Sequence, residues 1–361
     1  MKHIVFLNFS LQNGGAERVI SSLANDFVNR GDRVTVVLLD KEKEPFFPLD
    51  ERVRLIFLDL HSVSCNLLQS AAHMIKELRA FRKLFRRIAP DVVISFQCKS
   101  AVLAKKAYKR AKVIGSERAN PERKNKKTDL WMRKKSASVD GFIFQTNGAK
   151  RYYPSATQKK STVIPNGFSL TIPDEITSFN ERNKVIITTG RLAGTKRYDL
   201  ILDAFAEIRS ADPDYRLRIF GSGPEEGRIK EKIRVLGLED SAFVMGLTND
   251  VAKELLSSRI FVLASDYEGM PNGLIEAMAC GCACVSTDCD FGPSDLIENR
   301  ENGLLVPKGD ADAIAFAIGE LIADPDLASS CAKNAQKIRD THSLKKIADR
   351  YYSYISEVAE K

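Results

Sequence analysis

The chain lacks any long apolar run. The longest, Ala277–Val285, is nine residues of mostly small side chains, half of the ~18 that a membrane-spanning helix needs. The stretch Met1–Leu7 turns polar at Asn8 and has neither the extended apolar core nor the small-residue cleavage site of a secretory signal. It reads instead as a buried first strand. Cysteine is sparse, at 7 residues, odd in number and thinly spread, which argues against a disulfide scaffold and for a reducing compartment. The four histidines, at positions 3, 61, 73 and 342, fall in no motif. Aromatic residues do not interleave the basic stretches in the manner of a nucleic-acid stacking platform. What is present is a soluble globular composition, 44% hydrophobic and 28% charged over 361 residues, a length that suits two domains at about 150 residues each.

The net charge of +8 hides an asymmetry. Residues 1–170 hold 32 Lys and Arg against 15 Asp and Glu, net +17, while residues 171–361 hold 23 against 32, net −9. Residues 71–160 alone carry 24 basic and 6 acidic side chains. Ordinary surfaces intersperse both signs, so this half is built to face something anionic, either nucleic acid or a membrane surface.

Short β-branched runs alternate with stretches of helical period, the pattern of βα units around parallel sheets. Strands are predicted at Ile4–Phe9, Val34–Leu39, Leu55–Asp59, Val92–Phe96, Val113–Gly115, Phe142–Gln145 and Thr162–Ile164. A second set falls at Val185–Thr189, Leu217–Phe220, Phe243–Gly246, Ile260–Ala264, Ala283–Thr287 and Leu304–Val306. Ser169–Asn183 is polar, contains Pro173 and has no periodicity, which reads as a linker. The expected organisation is α/β: a Rossmann-like domain over 1–168, the linker 169–183, a second Rossmann-like domain over 184–342, and a closing helix over 343–361. Two such sheets leave a cleft at the carboxyl ends of their strands, where ligands of open α/β sheets bind. Residues just after strands are therefore the functional candidates.

After the first strand comes Asn13-Gly14-Gly15-Ala16-Glu17-Arg18, opening a helix. Its glycines allow close approach of a ligand, and free N–H groups at a helix start favour an anion; a plain tight turn explains it equally well. After the first strand of the second half comes Gly190-Arg191-Leu192-Ala193-Gly194-Thr195-Lys196. A planar guanidinium and a point-charge ammonium five residues apart can share one diphosphate. Phe220-Gly221-Ser222-Gly223-Pro224-Glu225 is another glycine-rich strand-to-helix turn. The sharpest constellation is Tyr267-Glu268-Gly269-Met270-Pro271-Asn272-Gly273-Leu274-Ile275-Glu276. Asn272 is expected to cap a helix, putting Glu276 near its positive first turn. Carboxylates accept hydrogen bonds only, which suits a sugar diol. Read structurally, Glu276 merely complements the dipole and Glu268 is a loop carboxylate.

These motifs, with Ile164-Pro165-Asn166-Gly167 and Asn302-Gly303-Leu304-Leu305-Val306, run in order along nearly the whole chain, and Glu268 and Glu276 stand as E-x7-E. The chain resembles glycosyltransferase family 4, retaining enzymes of GT-B fold that build bacterial polysaccharides and lipid-linked glycans. The resemblance implies two Rossmann-like domains facing across a cleft, with a nucleotide sugar as donor. It assigns Glu276 to the nucleotide ribose, Glu268 to hydroxyls of the transferred sugar, and Arg191 with Lys196 to the diphosphate. Donor contacts extend to Gly15, Gly190, Gly221, Gly223, Glu225 and the run Gly269, Met270, Pro271, Asn272, Gly273 and Leu274. Gly14 and Glu17 fall on the acceptor and sugar loop, and the last helix crosses back onto the N-terminal domain. One departure is visible: where family members often carry a histidine facing the sugar, this chain has Ser116-Glu117-Arg118, so Glu117 or Arg118 takes the donor or acceptor contact.

Retention by front-side attack, with a phosphate oxygen taking the acceptor proton, needs no histidine base. The three glycine-rich loops and the Glu268–Glu276 segment hold no Asp-x-Asp pair for Mg²⁺, so no metal and no cofactor is expected. The implied donor is a UDP-hexose or UDP-N-acetylhexosamine, with GDP-mannose as the alternative, and the implied acceptor is a polyprenyl-diphosphate-linked glycan. A nucleotide-sugar epimerase of the same architecture is the rival enzyme; it would turn over sugar without an acceptor. Cys280, Cys282 and Cys284, with Cys289, are spaced as small buried thiols rather than as a zinc site.

The helix expected over Ala71–Ile88 sets Ala71, Met74, Ile75, Leu78, Phe81, Phe85 and Ile88 at helical spacing, with Lys76, Arg79, Arg82, Lys83, Arg86 and Arg87 mostly off that stripe. Such a helix can lie in a membrane interface, apolar side chains entering and cations meeting anionic headgroups or the acceptor's diphosphate; packing on its own sheet is the alternative. The cluster Arg123-Lys124-Asn125-Lys126-Lys127 with Trp131, Arg133, Lys134 and Lys135 favours the membrane. The expectation is a cytoplasmic enzyme, peripheral on the inner face of an anionic membrane, with no nucleic-acid partner.

Overall fold

The computed structural model describes residues 1–12, 14–41, 43–60, 67–118, 121 and 127–361. The chain forms two compact units: Met1–Asn166 together with Leu344–Lys361, and Gly167–Ser343.

The first unit is built on β1 (His3–Asn8), β2 (Arg33–Leu38), β3 (Arg54–Phe57), β4 (Val92–Ser95), β5 (Lys112–Glu117), β6 (Gly141–Phe144) and β7 (Ser161–Val163), paired in parallel in the order β3-β2-β1-β4-β5-β6-β7. The central strand β1 is buried along its whole length, His-Ile-Val-Phe-Leu-Asn, because a parallel sheet is covered on both faces. Ile4, Phe6, Val36, Ile94 and Ile143 point to one core with the helix Gly15–Asn29. Val5, Leu7, Val37, Val93 and Phe144 point to the other, with the helices Leu67–Ile88 and Cys98–Ala107. The helix Leu344–Glu360 belongs to this unit, where Ile347, Ala348, Tyr351, Ile355 and Val358 join the first core.

The second unit is built on β8 (Asn183–Thr189), β9 (Arg216–Phe220), β10 (Ala242–Gly246), β11 (Ser258–Leu263), β12 (Ala283–Thr287) and β13 (Leu304–Val306), parallel in the order β10-β9-β8-β11-β12-β13. The chain enters it at Gly167, and part of the 169–183 stretch packs into its cores, Leu170 and Ile172 against one and Phe179 within the other. Each strand expected from the sequence is present, with ends shifted by at most two residues. Strand order reverses between β1 and β4 in one sheet and between β8 and β11 in the other. These are the switch points where open α/β sheets bind ligands at their carboxyl edges.

One expectation is corrected. In the helix Leu67–Ile88, Phe81, Leu84, Phe85 and Ile88 are buried in the sheet's own core, with Met74 packed against it. That part of the stripe cannot enter lipid. The cations Lys76, Arg79, Arg82, Lys83, Arg86 and Arg87 are all exposed. Among the described residues, no helix is long and apolar enough to cross a membrane.

Candidate functional site

At the second unit's switch point, β8 ends at Thr189 and turns at Gly190, whose φ of +154° favours glycine. The loops after β8 and β9 zip together. Gly190 N–H donates to the Phe220 carbonyl (3.0 Å), Leu192 N–H to Ser222 (2.9 Å) and Glu225 N–H to Leu192 (3.0 Å). A Cβ on Gly221 would lie 1.8 Å from the Gly190 carbonyl oxygen, and one on Gly223 2.2 Å from that of Leu192. Loop-on-loop packing is therefore enough to require both glycines. Glu225 precedes the helix Glu226–Val235 and pairs with Arg228 at 3.3 Å.

The two cations of the first loop differ. Arg191 is exposed, whereas Lys196 donates from Nζ to Oε1 of Glu268 in the loop after β11. Ser265 Oγ donates to the same carboxylate oxygen at 2.6 Å. Ser265 is itself buried and its carbonyl accepts from Thr287 Oγ1 at 2.8 Å. The Lys196 and Glu268 side chains are only 22% and 11% exposed. Asp266 N–H donates to the Thr195 carbonyl (2.9 Å), and Arg197, at φ +47°, pairs with Asp199 (2.9 Å) and Asp266 (3.1 Å). Burial, and then the Glu268 charge, hold the Tyr198 phenol well above its ordinary range.

The next helix spans Asn272–Ala279. Pro271, not Asn272, holds the N-cap position without a side-chain cap, and Asn272 is the first helical residue, a correction that moves Glu276 into the second turn. Proline's fixed φ suits a helix start. Gly273 lets this start abut β8, since a Cβ there would meet Thr189 Oγ1 at 2.7 Å. Gly292, at φ +95°, approaches Pro271 and the Gly269 carbonyl. Met270, Pro271, Leu274 and Glu276 are buried, while Gly269 is half-buried. At the helix's C-terminal end Arg182 donates to the Cys280 carbonyl (3.0 Å) and Arg339 to that of Ala279 (2.7 Å), where the dipole favours cations.

Cys280, Cys282, Cys284 and Cys289 are buried, and burial raises each thiol, those of Cys282 and Cys289 to about 12. Among the described residues, no three His, Cys, Asp or Glu side chains converge to hold a metal ion.

At the first unit's switch point, Gly14 is the N-cap of the helix Gly15–Asn29 and Gly15 is exposed. Glu17 folds back over this start: a Cβ on Gly14 would lie 2.2 Å from Glu17 Oε2. The chain's own carboxylate thus stands where a helix start would receive an anion. Burial raises the Glu17 carboxyl, against lowering contributions from its own N–H, Asn8 and Arg118. Glu117 is buried and accepts from the Tyr153 hydroxyl at 2.6 Å. Arg118 takes other partners: its guanidinium donates to the Tyr351 hydroxyl (2.8 Å) and Asn166 Oδ1, and lies 5.1 Å from the Phe96 ring centre. Gln145 also donates to Asn166 Oδ1, at 2.7 Å. Asn166, read only as part of a motif, is thus a buried acceptor for two side chains. Asn13, Ala119 and Arg123–Lys126 lie outside the described residues.

Sequence reasoning missed Ser265, Gly292, Gln145 and Tyr351. Ser265 had a signal, since it directly follows a strand, and Gly292 stands in a Gly-Pro pair; Tyr351 had none.

Known proteins agree with this architecture. The family described as Glycosyltransferase Family 4 matches residues 13–171, and Glycosyl transferases group 1 matches residues 173–338. The chain is 28% identical over 372 residues to an exopolysaccharide phosphotransferase of Streptomyces coelicolor, covering 93% of this chain but only 38% of that protein's length. It is 26% identical over 365 residues, 99% of both chains, to the Campylobacter jejuni GalNAc-alpha-(1->4)-GalNAc-alpha-(1->3)-diNAcBac-PP-undecaprenol alpha-1,4-N-acetyl-D-galactosaminyltransferase. Among solved structures, Anabaena HepE in complex with UDP and glucose superposes with a TM-score of 0.78 at 20% identity, over 99% of this chain and 100% of that one, a likeness of fold. Two parallel-sheet units, each matching one glycosyltransferase domain, make this chain a family 4 glycosyltransferase of GT-B fold.

Proposed function

We propose that the chain transfers a hexose or N-acetylhexosamine from a UDP-sugar to a polyprenyl-diphosphate-linked glycan, with retention and without a metal. The observation that carries this reading is the Lys196–Glu268–Ser265 cluster at the switch point of the second sheet. An ammonium held by a carboxylate is poised to exchange that partner for a phosphate, and the released carboxylate is then open to sugar hydroxyls. Breaking the sugar–phosphate bond builds negative charge on the diphosphate. Arg191 and Lys196 are the cations assigned to meet it, and one preorganised group of this kind contributes about 10²–10³ in rate. Glu276 is assigned to the ribose diol. In the first unit, Gly14, Glu17, Glu117 and Arg118 form the acceptor side; a carboxylate already covering the helix start there favours hydroxyl over phosphate recognition. The UDP and glucose bound by Anabaena HepE support a UDP-sugar, and the undecaprenol-linked substrate in the Campylobacter relative's name supports a lipid-linked acceptor. The exposed cations of the helix Leu67–Ile88 support work at an anionic membrane, on its cytoplasmic face.

The test is a donor screen against polyprenyl-diphosphate-linked oligosaccharides, with the product anomer read by NMR and EDTA in parallel. Transfer from a UDP-sugar with retained configuration, insensitive to EDTA, is the expected result. Sugar turnover without an acceptor would show an epimerase instead.

A further inference from the structure

The helix Lys127–Lys135 reverses the arrangement of the helix Leu67–Ile88. Its inward residue is Met132, 3% exposed and packed in a core with Val139 and Tyr153. Lys127, Leu130, Trp131, Lys134 and Lys135 are exposed, and at helical spacing they share one outward face. Leu130 and Trp131 remain 41% and 48% exposed, and Tyr152, after the helix Asn147–Arg151, 40%. Arg133 joins the two helices: its guanidinium lies 6.0 Å from the Tyr152 ring centre, and Lys135 Nζ lies 5.8 Å from that of Trp131. Asp129 is the acidic residue of this helix, and it is half-buried.

An indole, a phenol and a leucine held outward among lysines and arginines match one kind of surface. Amphipathic rings settle at the boundary of hydrocarbon and headgroups, and ammonium groups settle at lipid phosphates. Each cation near an anionic leaflet contributes about 1 kcal/mol before screening. Single-stranded nucleic acid would meet the charges, but it needs rings set as a stacking platform, and Leu130 has no ring.

We propose that the outward face of Lys127–Lys135, with Tyr152, docks the first unit on an anionic lipid bilayer, Trp131 and Leu130 entering the headgroup boundary. The inference deepens the membrane part of the proposed function and rests on it for the reason the chain visits a bilayer.

The chain holds a single tryptophan, so its fluorescence reports on this patch alone. The full chain is titrated with vesicles of phosphatidylcholine, with and without phosphatidylglycerol. Emission should shift to the blue and acrylamide quenching should fall only with phosphatidylglycerol, and salt should reverse both. In co-sedimentation, Leu130→Ser and Trp131→Ser should each weaken partitioning by roughly ten-fold, the order expected for one large apolar side chain. Trp131→Phe should restore most of it, and the melting temperature and UDP-sugar affinity should stay as in the parent chain. Binding without a change in emission, no binding, the same shift with single-stranded RNA, or a concentration-dependent shift without vesicles would each overturn the proposal. Turnover on a soluble acceptor is measured in the same preparation; its absence beside an intact emission shift sinks the proposed chemistry alone.

Discussion

Before any donor arrives, Lys196 and Glu268 neutralise each other. In the proposed reaction a diphosphate must draw Lys196 away and enter against the charge of Glu268. Glu268→Gln removes both obstacles, so its two effects should run in opposite directions. The pair is 22% and 11% exposed, which places it between a surface ion pair, at ~0–1 kcal/mol, and a shielded charge-assisted hydrogen bond, at ~1.5–3 kcal/mol. About 1.5 kcal/mol released to the ligand, at ~1.4 kcal/mol per decade, should make UDP bind roughly ten-fold tighter. Turnover should fall by about 10²-fold, the scale of one lost preorganised contact in the transition state. Isothermal titration with UDP at two salt concentrations, beside rates at saturating UDP-sugar, measures both. Ser265→Ala keeps the charge and should leave UDP affinity nearly unchanged. If the glutamine variant bound UDP no more tightly than the parent, Lys196 would not be exchanging its carboxylate for the diphosphate.

Arg191→Ala should reduce the rate by about 10²-fold without destabilising the fold, since the side chain is exposed; near-full activity at saturating donor would remove it from the diphosphate site. Gly221→Ala sets a Cβ against the Gly190 carbonyl at φ +144° and should cost about 3 kcal/mol from strain and overpacking, a fall of roughly 6–12 °C in Tm. Gly194→Ala, with nothing within 4 Å of the new Cβ, should leave Tm nearly unchanged; equal shifts would refute the loop-packing account. Burial raises the Glu17 carboxyl above its ordinary 4.5, so ionised Glu17 costs stability that is lost as pH rises through the raised value. Glu17→Gln carries no such cost: its Tm advantage should be steady at pH 7 and shrink toward zero as pH falls below about 4.5, and a pH-independent difference would contradict this.

The strands were legible because buried parallel strands are written as continuous apolar runs, β1 most plainly. Lys196 and Glu268 were legible as residues just after strands. Their contact was not, since it joins loops 72 residues apart. Arg118 and Tyr351 are 233 residues apart, and no local pattern announces such a pair. Periodicity showed that the helix Leu67–Ile88 has an apolar face; which way the face turns depends on the sheet beneath it. Asn272 looked like a cap from its residue type, but Pro271 starts the turn one residue earlier.

The first unit is discontinuous, its sheet drawn from residues 1–166 and its last helix from 344–361. Synthesis runs in one direction, so the whole of the second unit emerges while the first still lacks Ile347, Ala348, Tyr351, Ile355 and Val358 from its core. The unit that begins first is finished last. Until then one flank of its sheet stays open, and Arg118 is without the Tyr351 hydroxyl that holds it. A chain cut after Ser343 would keep every residue of the second unit and yet carry a first unit with an uncovered core. Arg118 would keep Asn166 and the Phe96 ring but lose the Tyr351 hydroxyl, although the cut falls 225 residues further along the chain.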